Sequence, residues 1–479
     1  MRPYVVIRYI GLILLFVAGL LFLSAFVALA EGSDPSFLPL LETAMLTVCT
    51  GLFPMIFVKD VRQITNREAY AIVAGAWIAV CLMGMLPYLF YRYEFHFIDA
   101  LFESVSGFTT TGASIINDLE SLPRGLLFWR MSTAWIGGIG IVMFALVILP
   151  STRGIGTSLS NMEMSNLARY QYTAARRQSL IRILLLTYAG LTTGTMLLLK
   201  LTGMGWFDAL THAMSACSSC GFSTRNANIA AFDSPLIEIV LIVAMVLAGT
   251  HFGVIIRMAR GKFKTPEVFK TYLAFLLVCA VLITLSLWAG RTCDGFFSSL
   301  RQALFNVVSL TTTTGFTTTD TNSWPPFCIV ILTICSLICA CSGSTSGGMK
   351  MDRVLIAAKS IRRRIILQRH IHGVRNIKLD GKHIEDGSAV EILNFICAYL
   401  IVVSAGTLLY TCFGSDLQTS FSAAIACLGN VGPGFGAIGA AENFAAMSIP
   451  FKAISIVLML LGRLEIFGIL QIFYNGLHR

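Results

Sequence analysis

The sequence predicts an all-α polytopic membrane protein: four pseudo-repeats of span, short helix and span around one axis, preceded by two extra spans, ten membrane-crossing segments in all. Three observations carry this. Of the 479 residues 56% are apolar and only 13% charged, where a soluble domain is about 45–50% apolar. The apolar runs reach the roughly 20 residues that cross a hydrocarbon core as a helix. A glycine flanked by hydroxyl or small residues recurs at Gly112, Gly221, Gly315 and Gly432, roughly 100 residues apart, each time after a short apolar segment and before a long one.

The net charge of +10 informs through its placement. Most Lys and Arg fall in alternate loops, which puts those loops and both termini in the cytoplasm by the positive-inside rule. A soluble nucleic-acid binder would gather these charges on a polar domain, and the sequence has none. The thirteen cysteines lie mostly inside apolar runs, as Cys81, Cys279, Cys335, Cys339 and Cys397 do, where they act as small hydrophobes. Cys217 and Cys220 form a C-x-x-C pair with no second pair at zinc spacing, which argues against a metal or redox centre.

Residues 1–68 form the part outside the repeat: spans over 7–29 and 37–58 joined by the acidic loop Glu31 to Asp34. The first run is longer than the apolar core of a signal peptide, about 7–15 residues, and reads as a retained span. Repeat 1 (69–178) has spans at Tyr70 to Tyr91 and Leu126 to Leu149 around a short helix, Ile98 to Gly107. Repeat 2 (179–266) has spans at Leu180 to Leu201 and Pro235 to Ile256 around Asp208 to Cys217. Asp99 and Asp208 stand at the starts of the two short helices, where a carboxylate satisfies first-turn amides, so both read as caps. Repeat 3 (267–388) spans Val268 to Gly290, has its short helix at Ser299 to Leu310, and continues with Phe327 to Met349 and a segment of ten basic residues from Lys350 to Asp386. That segment reads either as an anchor to anionic headgroups or as a docking surface for a cytosolic regulator. Repeat 4 (389–479) spans Val390 to Phe413, with a short helix at Leu417 to Cys427 and a final span at Ile449 to Phe473.

The four loops suit ion conduction. The motifs are FTTTGAS at Phe108 to Ser114, SSCGFST at Ser218 to Thr224, TTTGFTT at Thr312 to Thr318 and LGNVGPG at Leu428 to Gly434. Polar backbone at membrane depth must be shielded from lipid, so such loops line something wet. A dehydrated monovalent cation needs a ring of oxygens, which inward-turned carbonyls supply, and glycine reaches the backbone conformations that turn them. The candidate ion ligands are Thr110, Thr111 and Gly112; Ser219, Cys220 and Gly221; Thr313, Thr314 and Gly315; and Asn430, Val431 and Gly432. Each short helix is then a pore helix whose carboxyl end, partially negative, favours a cation on the axis.

The span after the third loop contains CACSGSTSGGMK from Cys339 to Lys350, poor in helix propensity. It reads as an unwound loop over Gly343, Ser344, Thr345, Ser346, Gly347 and Gly348 across the pore below the filter, or else as a close helix crossing through small residues. Arg463 lies mid-span, where a charge costs at least about 2.5–3.5 kcal/mol unless it faces protein or water. It reads as an electrostatic barrier or as a tether for the loop of repeat 3. Glu465 points to another face, and Arg130, nearer the outer end, reads as snorkelling to the interface or as pairing with Glu103.

The four loops, with WIGGIG at Trp135 to Gly140, GSTSGGMK at Gly343 to Lys350 and GRLE at Gly462 to Glu465, resemble the Trk/Ktr/HKT superfamily of potassium transporters. The two extra N-terminal spans are most similar to its TrkH/TrkG branch. The resemblance covers essentially the whole chain. It implies a transported potassium ion, a homodimer with one pore per subunit, a cytosolic nucleotide-binding regulatory subunit of the TrkA kind, and a multi-pass protein of a bacterial inner membrane. It also implies that Gly112, Gly221, Gly315 and Gly432 bear on potassium selectivity and that Gly343 to Gly348 with Arg463 gate the pore. Two departures stand out: Ser219-Cys220 before the second glycine, and Ser346 where many members have glycine.

No ion-coupling carboxylate sits mid-span, which favours channel-like permeation; a potassium or sodium symporter of the same fold is the alternative. A membrane enzyme would draw on Glu103, His212 and His251, which share no metal spacing and no neighbouring nucleophile. A carrier of small solutes would need a midplane cavity between broken helices, without four filter-like loops.

Overall fold

The computed structural model describes residues 2–58, 65–91, 95–148, 174–261, 265–369 and 376–465. Helices α1 (Pro3–Ala30) and α2 (Phe37–Phe57) form an antiparallel hairpin. A side chain at Gly11 would press on the Gly51 carbonyl and one at Gly51 on the Gly11 carbonyl, so the backbones meet where both residues are small. Asp34 in the turn accepts from its neighbour's amide at Ser36 and from the Gly125 amide at 2.8 Å, fixing the hairpin to the rest of the chain.

Helix α3 (Asn66–Gly84) opens with a capping box: Thr65 and Glu68 exchange side-chain-to-backbone bonds, and Glu68 also takes the Arg2 guanidinium at 2.8 Å. The expected span over 70–91 is one apolar run, Arg67–Phe90, with a turn at Met85 before α4 (Leu86–Phe90), which has proline in its first turn. The Trp129 indole donates to the Gly84 carbonyl beside this turn, at 3.1 Å. Next come α5 (Phe97–Phe108), α6 (Arg124–Ile148), α7 (Ala174–Leu201) and α8 (Trp206–Ser218).

The span expected over 235–256 is two helices, α9 (Pro235–Ala248) and α10 (Phe252–Ala259), bent by 109°. The chain continues through α11 (Glu267–Ala289), α12 (Phe296–Thr311) and α13 (Pro326–Ile338), where the span expected to reach Met349 ends early. Helix α14 (Met351–Arg369) follows, then α15 (Asp386–Cys412), α16 (Leu417–Gly429) and α17 (Ile449–Arg463). The last part of the expected final span, 466–473, lies outside the described residues. Among the described residues six helices are long and apolar enough to cross a membrane, seven if α9 and α10 count as one broken span. The protein is multi-pass.

Between α14 and α15 the chain forms a small hairpin, β1 (Ile377–Leu379) antiparallel to β2 (Lys382–Ile384), with Ile377 opposite Ile384. Its turn, Asp380-Gly381, has positive φ at both residues, 51° and 77°, the geometry that Asp-Gly favours. Ile356, Ile377, Ile384, Ala389 and Ile392 form its own apolar cluster.

The main core falls into two masses. One joins the N-terminal hairpin, α3 to α6, and α15 to α17; the other joins α7 to α9 with α11 to α13. The short helices α5, α8, α12 and α16 end buried at the seam between them.

Candidate functional site

Each short helix ends in the same way. At the residue two before the glycine φ is positive: Thr110 (54°), Ser219 (58°), Thr313 (57°) and Asn430 (53°). The glycines are positive too: Gly112 (80°), Gly221 (81°), Gly315 (76°) and Gly432 (100°). The residue between them sends its amide back six positions from the glycine: Thr111 to the Ser106 carbonyl (2.8 Å), Cys220 to Ser215 (3.1 Å), Thr314 to Ser309 (2.9 Å) and Val431 to Ala426 (2.9 Å). A companion bond joins the left-handed residue to the carbonyl three before it in all four cases. This is a Schellman ending built on Thr, Ser, Thr and Asn instead of the usual glycine.

The four turns close on one another. A side chain at Gly112 would collide with the Cys220 carbonyl oxygen, at Gly221 with that of Thr314, at Gly315 with that of Val431, and at Gly432 with that of Thr111. Loop 1 thus abuts loop 2, loop 2 abuts loop 3, loop 3 abuts loop 4, and loop 4 returns to loop 1. The same pair of positions makes every contact, which sequence spacing alone does not reveal. Asn430 strengthens the return: its amide donates to Thr111 Oγ1 (2.9 Å) and to the Met459 carbonyl (3.0 Å).

The backbone from Cys339 to Lys350 is non-helical, with Ser344 to Gly347 fully buried. It lies against the loops. Gly347 donates its amide to Thr313 Oγ1 (3.1 Å), Thr345 Oγ1 shares a hydrogen bond with Ser219 Oγ (2.8 Å), and a Cβ at Gly347 would meet the Gly429 carbonyl. Ser344 and Ser346 bond each other at 2.8 Å, while Gly343 and Gly348 turn with φ of 71°.

Non-helical backbone at membrane depth must find partners within the protein, and here the broken span between α9 and α10 supplies them. Cys341 donates to the Gly249 carbonyl (3.1 Å), Thr345 to Ala248 (3.3 Å), and Phe252 donates to Gly343 (3.1 Å). Each break satisfies groups that the other frees. The break at Cys339 to Lys350 is legible in its own segment; the one between α9 and α10 is not.

Arg463 ends α17 beside this segment, 2% exposed. Its guanidinium donates to the Thr345 carbonyl at 3.1 Å and to the Gly137 carbonyl at 2.6 Å. Gly137 belongs to the glycine-rich part of α6, where a side chain would run into the Phe108 carbonyl. Glu465 does not serve Arg463; it pairs with Lys350 (3.1 Å) and Arg353 (3.2 Å) at the far end of the non-helical segment. A side chain at Gly462 would collide with the Leu428 carbonyl, so α17 packs directly on the turn before Gly432. Ser346, Gly347, Gly348, Asn430 and Arg463 line one cavity here.

The first-turn aspartates are not caps. Asp99 pairs with Lys452 at 2.7 Å, and Asp208 accepts from Thr224 Oγ1 (2.7 Å) and Arg225 (3.1 Å). The N-caps are His96 and Gly205, so each carboxylate sits three residues past the cap, within the first turn, and faces a neighbour. The carboxylate that does cap is Asp416, which takes the Thr419 amide at 3.0 Å and is held below its ordinary carboxyl pKa by Thr419. Outside the membrane Asp118 is likewise held low, by the Asn226 amide group.

Arg130 pairs with Glu103 at 2.6 Å, both almost wholly buried, and its guanidinium lies 3.5 Å from the Phe222 ring centroid. His251 caps α10 through the Gly253 amide (2.9 Å). All thirteen cysteines are free thiols.

A family model described as a cation transport protein, TrkH, matches residues 40–292 and 297–475. The Trk system potassium uptake protein TrkH of Salmonella typhimurium is 33% identical over 474 residues, covering 97% of each chain. The TrkG protein of Escherichia coli K12 is 32% identical over 416 residues, covering 86% of this chain and 85% of its own. Among solved structures the crystal structure of the potassium transporter TrkH from Vibrio parahaemolyticus aligns over 100% of both chains with a TM-score of 0.91 and 30% identity. These relatives are named for transport, not catalysis, and the chain belongs to the TrkH family of cation transport proteins.

Proposed function

We propose that the protein takes up potassium across a bacterial inner membrane through a filter made by the four glycine loops. The observation that carries this reading is the closed ring in which each glycine meets the carbonyl of the residue before the next glycine. Four repeats around one axis account for that ring. A dehydrated potassium ion passes along the axis, its water replaced by loop carbonyls, with Thr110, Thr111, Ser219, Cys220, Thr313, Thr314, Asn430 and Val431 contributing their backbone oxygens beside the glycines.

Gly343 to Gly348 close the path on the cytoplasmic side, and Arg463 holds them shut through the Thr345 carbonyl. Its buried charge also opposes a cation there. A TrkA-type nucleotide-binding subunit regulates this closure from the cytoplasm, where both termini lie, and the transporter works as a homodimer with one pore per subunit. Channel-like conduction fits the absence of a mid-span carboxylate among the described pathway residues; coupled symport is the alternative.

Potassium-limited growth of an uptake-deficient bacterium tests the reading. The parent chain with a matching regulator is expected to rescue growth, and Gly315→Ser to fail or to become sodium-sensitive. A parent that reaches the membrane without rescuing growth sinks the reading; a variant identical to the parent sinks the filter.

A further inference from the structure

We propose that His212 is a positioning residue that fixes the outer end of the second loop and with it the discrimination between potassium and sodium. This rests on the filter reading above. His212 stands nine residues before Gly221, and the residues nine before Gly112 and Gly315 are Glu103 and Asn306. All three reach past the glycine to the outgoing strand of their own loop. Glu103 accepts from Ser114 Oγ (3.2 Å) and the Ile115 amide (3.1 Å), His212 Nε2 meets Ser223 Oγ (2.9 Å), and Asn306 reaches Thr318 Oγ1 (3.4 Å). The fourth position is Ala423, and its neighbour Ser422 takes over, accepting from the Phe435 amide and donating to the Phe435 carbonyl.

Loop 2 lacks one tie that loops 1 and 3 have. In loops 1 and 3 a second tie exists: Ser106 Oγ donates to the Ala113 carbonyl (2.5 Å) and Ser309 Oγ to the Phe316 carbonyl (2.6 Å). The matching hydroxyl in loop 2, Ser215 Oγ, is buried without a partner among the described residues. His212 and Asp208, which accepts from Thr224 Oγ1 (2.7 Å) and Arg225 (3.1 Å), are therefore the side chains by which α8 holds its own loop, and His212 is the one that bonds nearest the glycine. The bonding fixes its tautomer. The Asp208 carbonyl, 2.7 Å from Nδ1, only accepts, so Nδ1 carries the proton and Nε2 accepts from the Ser223 hydroxyl. Ser223 Oγ in turn accepts the Arg225 amide at 3.1 Å.

His212 also touches the next loop. Its ring lies 6.0 Å from that of Phe316, stacked at 30°, and Phe316 directly follows Gly315. In repeat 1 the same step is made by Arg130, which joins Glu103 to the Phe222 ring directly after Gly221. From the first two pore helices the braces thus run to their own loop and on to the following one. A small change at His212 moves two of the four carbonyl turns.

The test is the preference for potassium over sodium, read as sodium inhibition of rubidium uptake into vesicles holding the full-length protein. His212→Leu keeps the volume but cannot bond Ser223; Ser223→Ala removes the same bond from the other side with little change of shape. Each is expected to lower the preference by about fivefold to tenfold, the worth of one hydrogen bond. The double variant is expected to be no worse than either single, and His212→Asn to recover much of the preference. Unchanged preference in Ser223→Ala, or singles whose effects add, overturns the proposal, and Ser223→Ala alone decides if His212→Leu does not reach the membrane. A parent protein without rubidium uptake overturns the filter reading and this proposal together; an active parent with indifferent variants overturns only the brace.

Discussion

Arg463 on α17 and Thr345 in the non-helical segment are joined by a guanidinium-to-carbonyl bond of 3.1 Å, and the same guanidinium holds Gly137 on α6. One side chain from α17 thereby fixes the non-helical segment 339–350 against α6. Arg463→Ala is expected to free the segment and raise rubidium flux through reconstituted protein severalfold, with Arg463→Lys in between because an ammonium lacks the two-pronged donor geometry. Flux equal to the parent's in both variants would falsify the tether.

Gly462 faces the Leu428 carbonyl and Asn430 Oδ1 at the root of the fourth loop. Gly462→Ala must push α17 off that turn, and overpacking of this kind costs about 1–3 kcal/mol. A lowered melting temperature in detergent, together with weaker potassium protection against unfolding, is the expected result. A melting temperature within error of the parent's would mean that the backbone yields freely there.

Glu465 pairs with Lys350 and Arg353 where the non-helical segment joins α14. Replacing it with glutamine weakens charge-assisted bonds and is expected to cost about 2 kcal/mol. Thermal unfolding of Glu465→Gln beside the parent measures this, and identical curves would remove Glu465 from the account of the segment.

Arg130 and Glu103 form a buried ion pair, so removing one partner leaves an uncompensated charge. Arg130→Met alone is expected to lose about 3–5 kcal/mol, and Arg130→Met with Glu103→Gln to recover part of it. If the double variant is the less stable of the two, packing rather than charge dominates the site.

Asp416 caps α16 with its carboxyl held below the ordinary value by Thr419. A depressed carboxyl contributes stability above the unfolded carboxyl pKa and loses it as pH falls through the folded value. Asp416→Ala is expected to lower stability at neutral pH by about 1 kcal/mol. The difference from the parent should shrink as the medium is acidified below the carboxyl range; a gap that stays constant with pH argues against the cap.

Hydrophobicity and repetition settle much of this protein before any folding is considered. Apolar runs about as long as a bilayer is thick announce helices, and the observed α5, α8, α12 and α16 lie within a few residues of the segments read from the four glycine motifs. The low helix propensity of Cys339 to Lys350 marks the stretch that is in fact non-helical. Even the hairpin between α14 and α15 had its signal in Asp380-Gly381, hidden among basic residues.

Apart from the tether reading of Arg463, contacts between the glycine-loop segments were not readable, because they depend on which backbone groups face each other. The bend between α9 and α10 looked like one continuous span, since apolar residues flank Gly249-Thr250-His251 on both sides and its stability comes from partners a hundred residues away, near Gly343. Asp99 and Asp208 looked like caps by position, yet Lys452 and Arg225 claim them in three dimensions. The sequence by itself determined that four glycine turns and a buried arginine exist. Only the tertiary structure decided that the turns close into a ring and that the arginine holds Thr345, since hydrogen bonds of this kind join atoms by proximity and not by order along the chain.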